Sequence, residues 1–286
     1  VDIIEISSWL ARVMFYAATA AVIGGLFVRG LSENNRGIVE WLRCYIRWGS
    51  VIGMISIVIS CLSQLFMFGG LSISSLSDWD TLTMLLNSTL GWSWGLAFTG
   101  FLSCFVGTLD KIKDSTCLQL ITSGTFVVVL SFWFTGHLVD SHWYEHLSLL
   151  IHVIAMSIWM GALLPLWKVT TITDLELMRC IMFKFGKIAL FFIPVLLIAG
   201  LFMLLFLLGD LRLLFQHSYG QTMLVKLAVV VLLLGLGALN KLVLVPRLPA
   251  VDVVYRLRKS IVIETVAGGC VLGLTALATV IIGLER

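Results

Sequence analysis

Four of the chain's five histidines, His137, His142, His146 and His152, fall in the segment GHLVDSHWYEHLSLLIHVIAMSIWMGALLPLW at 136–167. Imidazole nitrogen suits copper and zinc, and thioether sulfur favours Cu(I). His152 and Met156 are four apart, so on a helix both can point at one bound atom. Glu145, Leu149, His152, Met156 and Trp159 form one helical stripe, with His142 near its outer end. His146 precedes His152 by six residues and projects from another side, so one ion is not expected to use both. The pairing of imidazole with thioether points to copper over zinc or iron. The segment begins polar and turns strongly apolar, and a histidine within a membrane span is costly and usually functional.

The elements that must position these groups are membrane helices. The chain of 286 residues is 59% hydrophobic and 12% charged, whereas soluble domains carry roughly a quarter charged residues. Crossing the hydrocarbon takes about 20 apolar residues in helix. Eight such stretches are expected, near 3–31, 45–70, 88–109, 117–136, 143–167, 185–209, 219–242 and 259–284. The first is too long for a signal-peptide core and is read as a span. Pro194 falls inside the sixth stretch, where it is expected to kink the helix. None of the six cysteines sits in a CxxC pair, so they read as small apolar residues rather than a disulfide framework.

Fifteen of the 19 Lys and Arg residues lie in or beside the first, third, fifth and seventh connections. That imbalance places those connections in the cytoplasm and both termini on the periplasmic side. The basic residues are therefore topology signals, and nucleic-acid binding is not expected. His137, His142, His146 and His217 then face outward with Asp78, Asp80, Asp140, Glu145 and Asp210, an acidic mouth that attracts cations. Arg12, Lys226 and Glu264 are polar positions within spans, and each must snorkel, pair or line a polar cavity. Gly24–Gly25 and Gly268–Gly269 read as devices for close helix packing. There is no phosphate-binding loop of the Walker type, which argues against a pump driven directly by nucleotide.

Three runs resemble the copper resistance protein D family: GH at 136–137, HVIAMSIWMGALLPLW at 152–167, and YGQTMLVKLAVVVLLLGLGALNKLVLVPRL at 219–248. Glu264, early in the last span, is similar to a family glutamate. The resemblance implies an eight-span bacterial inner-membrane protein that handles copper, works with the periplasmic copper-binding protein CopC, and moves copper inward. It makes His137 and His152 counterparts of recurring family histidines. It makes Lys226, Asn240 and Glu264 counterparts of recurring polar positions.

The expectation is thus an all-α, polytopic bundle of eight transmembrane helices, forming one integral membrane domain over 1–286 with no catalytic residues. A copper ion would be received by His137 and His152 with Met156 as third ligand, while His142 and His146 recruit it from an outer vestibule. Two other readings stay open from sequence. One is a haem b electron-transfer protein ligated by His152 and His137. The other is a copper sensor or CopC docking platform without flux.

Overall fold

The computed structural model describes residues 3–32, 35–69, 78–110, 112–134, 142–172, 174–208, 212–216, 218–248 and 250–282. Ten α-helices follow one another, with no strand among the described residues. They are α1 (Ile3–Leu31), α2 (Arg36–Phe68), α3 (Trp79–Leu86), α4 (Thr89–Gly107), α5 (Asp114–Ser131), α6 (Trp143–Ile172), α7 (Leu175–Leu208), α8 (Leu213–Gln216), α9 (Ser218–Leu239) and α10 (Val251–Ala276). Eight of them, all but α3 and α8, are long and apolar enough to cross a membrane. The fold is a polytopic helical bundle, as the hydropathy implied.

The helices run further than the apolar stretches at one end only. α2 starts at Arg36, α7 at Leu175 and α10 at Val251, each about two to three turns before the apolar run. Hydropathy marks where lipid contact begins, but a helix needs only its own hydrogen bonds to continue into the interface. These extensions share the end rich in Arg and Lys. Several of those side chains also bind the backbone there. Arg47 donates to the Thr108 carbonyl at the end of α4 and to Asp110 at 3.0 Å. Arg258 donates to the Thr170 carbonyl at 2.7 Å near the end of α6, and Arg43 pairs with Asp114. Cations at the C-terminal ends of α4 and α6 satisfy carbonyls that have no helical donor.

α3 lies in the connection between the second and third spans. Its start is set by Asp78, whose carboxylate accepts from the Asp80 and Thr81 backbone N–H groups at 3.1 and 3.3 Å. The Thr81 hydroxyl donates to it as well, and these bonds hold the Asp78 carboxyl below the ordinary aspartate range. Side-chain capping of this kind also opens α2 at Asn35 and α4 at Ser88.

Two large apolar cores fill the bundle, beside a small cluster of Tyr219, Met223 and Ala278. One joins α1, α2, α4, α5 and α6 around Phe15, Val22, Ile46, Phe101 and Ile121. The larger joins α1, α2, α6, α7, α9 and α10 around Leu42, Trp159, Leu163, Met178, Ile181 and Leu257. α1, α2 and α6 belong to both, and α1 and α6 form the seam. They touch backbone to backbone: a Cβ at Gly161 would lie 1.7 Å from the Ala20 carbonyl oxygen, and one at Gly24 would lie 2.1 Å from the Gly161 carbonyl carbon. Only glycine permits this approach, so Gly24 acts as the packing device read from the sequence, with Gly161 as its partner. Gly268 makes room for the Met160 methyl group, 2.0 Å from where its Cβ would stand.

Candidate metal centre

The histidine segment runs into α6. His142 lies just before the helix and is mostly exposed, its ring Nδ1 3.7 Å from Glu145 Oε1, and it stacks on Tyr144. His146 is different in kind. It is 5% exposed and its ring lies parallel to that of Trp133, with centroids 4.7 Å apart. Trp133 sits in the short 3₁₀ turn Phe132–Phe134 that ends the α5 span. Among the described residues the buried His146 Nδ1 has no hydrogen-bond partner. A solvated vestibule position was expected for His146, and the Trp133 ring instead shields it. His137 lies outside the described residues, as do His217, Asp140 and Asp210.

His152 projects from another side of α6, toward α7. Its Nδ1 lies 3.3 Å from the Leu196 carbonyl oxygen. A carbonyl only accepts, so Nδ1 carries the proton in this bond and Nε2 keeps its lone pair. That is how metal-binding imidazoles are usually oriented, with one nitrogen tied to a backbone carbonyl and the other free for the metal. Gly200, one turn beyond Leu196, leaves space for the ring: a Cβ there would stand 2.9 Å from His152 Cε1. Ser148, one turn earlier on α6, donates to the Ala199 carbonyl at 3.2 Å. Two side chains of α6 thus grip carbonyls three residues apart on α7 and fix the ring against it.

The remaining sequence-predicted residues fall at several depths. Met156 is partly buried against the larger core. Lys226, on α9, acts on His152 electrostatically. Arg12 is half-buried on α1. Asn240 and Glu264 come together further along the bundle. Glu264 is 3% exposed, the Asn240 amide donates to its carboxyl, and Trp159 presents its indole N–H to the same group. Asn240 opens a π-helical turn over Asn240–Leu244 that continues α9. Such turns disturb the helical ladder and recur at functional sites.

α6 therefore connects both polar regions, since His152 and Trp159 are seven residues, or about 10 Å, apart along it. Among the described residues no three His, Cys, Asp or Glu side chains are grouped to hold a metal ion. Sequence reasoning missed Trp133, Ser148, the Leu196 carbonyl and Gly200. The fit of glycine to the His152 ring was the one visible clue, and it needed the pairing of α6 with α7.

Eight helices long and apolar enough to span a bilayer define a multi-pass membrane protein. Two family models match: copper resistance protein D over residues 180–278, and the N-terminal domain of copper resistance protein D-like proteins over 3–143. The chain belongs to the copper resistance protein D family, and its role is copper resistance and copper handling at the membrane. No curated protein and no solved structure matched it. Lys226, Asn240 and Glu264 lie within the 180–278 match. His146, His152 and Met156 lie on the stretch of α6 between the two matches.

Proposed function

We propose that the chain receives copper at the His142 end of the bundle and passes it toward the basic end. The observation that carries this is the orientation of His152, with Nδ1 committed to Leu196 and Nε2 available to an ion entering beside α7. Met156, one turn along α6, supplies a thioether, and His137 completes the set. Imidazole with thioether is a ligand set suited to Cu(I). His142 and Glu145, at the exposed end, recruit the ion. The excess of Arg and Lys at the opposite end makes that end cytoplasmic, so both termini face the periplasm and copper arrives from there. CopC is the donor in this reading, and the protein resides in a Gram-negative inner membrane.

Lys226 sets the electrostatics of the site. A cation near His152 disfavours a resident divalent ion more than a monovalent one, which suits Cu(I) and quick release. The test is copper uptake by proteoliposomes containing wild type or the His152→Gln variant. Gln keeps a donor for the Leu196 carbonyl and removes the imidazole lone pair. Uptake in wild type and its loss in the folded variant are expected. Equal uptake by both would overturn the proposed site.

A further inference from the structure

α7 packs on α6 and α9 packs on α10, while α7 and α9 barely meet. Between them is a cavity of about 550 Å³, a size typical of small-molecule sites. Its rim includes Phe183 and Leu190, 66% and 64% exposed on the outer surface of α7, so it opens sideways toward lipid. Its walls are apolar and partly aromatic, with Trp159, Phe185, Ile193 and Leu234 among them. Its polar groups converge on the Glu264 carboxyl and the Asn240 amide. The Asn240 nitrogen is used on Glu264, but its Oδ1 is buried with no partner among the described residues. Lys241 bridges the slot at the basic end, donating to the Gly186 carbonyl at 2.6 Å. Pro194, on the wall, has no N–H to give the Leu190 carbonyl one turn back.

The geometry points to a binding site for a lipid-soluble molecule whose flat head carries hydroxyl groups, the chemistry of a quinol. Three features select this class. One buried acceptor on the floor lacks a donor: the Glu264 carboxyl accepts from Asn240 and Trp159, but the Asn240 Oδ1 has no partner among the described residues, and an unmet buried acceptor favours a ligand that brings a hydroxyl. The aromatic walls suit a flat ring. The lateral opening admits a molecule from the bilayer and leaves its apolar tail there. A copper ion is disfavoured here, because Lys187 and Lys241 line the same cavity beside its single carboxyl. The site is therefore separate from the copper route proposed at His152.

The experiment uses the full-length protein in nanodiscs and decylubiquinol as probe, with binding read by quenching of tryptophan fluorescence. Gly237 lines the slot, 3.9 Å from Trp159 at its Cβ position, whereas Gly235 faces open space. Gly237→Leu should fill the slot and weaken binding at least tenfold, and Gly235→Leu should leave it unchanged. Asn240→Leu, which removes the unpartnered acceptor, should weaken it about tenfold and guards against misfolding of Gly237→Leu. The oxidised decylubiquinone, lacking hydroxyl donors, should bind at least tenfold more weakly than the quinol. Equal affinity of both glycine variants, equal affinity of quinol and quinone, or a phospholipid retained in the slot by native mass spectrometry would overturn the proposal. No copper is present in the assay, and His152→Gln should bind the quinol like wild type, so failure here is distinct from failure of the copper site.

Discussion

The seam between α1 and α6 should be the least forgiving place in the bundle, and Gly161→Ala tests it. The new Cβ would stand 1.7 Å from the Ala20 carbonyl oxygen and 2.4 Å from its carbon. Ordinary contact begins near 3.5 Å, so the two backbones must part by about 1.5–2 Å. Both partners are main-chain atoms in long helices, so no side chain can swing aside. Overpacking of this kind costs about 1–3 kcal/mol. Parting the helices also strains the bond from the Tyr45 hydroxyl to the Gly161 carbonyl, 3.1 Å long, worth roughly 0.5–1.5 kcal/mol. Together the loss is about 2–4 kcal/mol, or a fall of roughly 5–10 °C in Tm. Gly235→Ala, with nothing within 4 Å of its Cβ position, should instead hold or gain up to about 1 kcal/mol through helix propensity. Thermal unfolding of both purified variants, followed by loss of the monodisperse peak in gel filtration, reads the two signs. A Gly161→Ala protein as stable as wild type would refute the close α1–α6 contact.

Other outcomes follow from single side chains. Lys226→Met should tighten copper binding severalfold by removing the cation near His152, measured by competition with a chromophoric Cu(I) chelator; weaker binding would contradict the electrostatic reading. Replacing Trp133 by Leu should uncover His146 and let it react with diethyl pyrocarbonate many times faster than in wild type, while the His142 rate stays the same. The Asp78 carboxyl is held low by the folded state, so the cap of α3 should be fully present above the ordinary aspartate range. It should be lost as pH falls through the lowered value. Amide exchange at Asp80 and Thr81 should quicken over that acid window and should not in Asp78→Asn.

The spans were legible because lipid imposes a length and an apolarity that composition cannot hide. The separation of His146 from His152 was legible too, since six residues on a helix turn the side chain well away from its starting direction. The extensions at the basic end were not, because charged residues such as Arg36 and Arg256 end a hydropathy window without ending a helix. Neither was α3, although Asp78 followed by Thr81 is a capping pattern. The Asn240–Glu264 pair joins residues 24 apart on two helices, and its formation depends on how each rotates about its axis. The Trp133–His146 stack and the Leu196 carbonyl depend on tertiary contacts in the same way. For the proposed metal centre, residue types only suggested a chemistry, and the packing of α6 on α7 was needed to show which ring nitrogen His152 turns to the Leu196 carbonyl.

That free nitrogen is the centre of the account, and X-ray absorption at the copper edge addresses it most directly. Purified wild type loaded with one equivalent of Cu(I) should show both imidazole and sulfur scattering, and His152→Gln should lose the imidazole contribution along with most of the bound copper. Identical spectra and stoichiometry from the two proteins would contradict the assignment of His152 as a copper ligand.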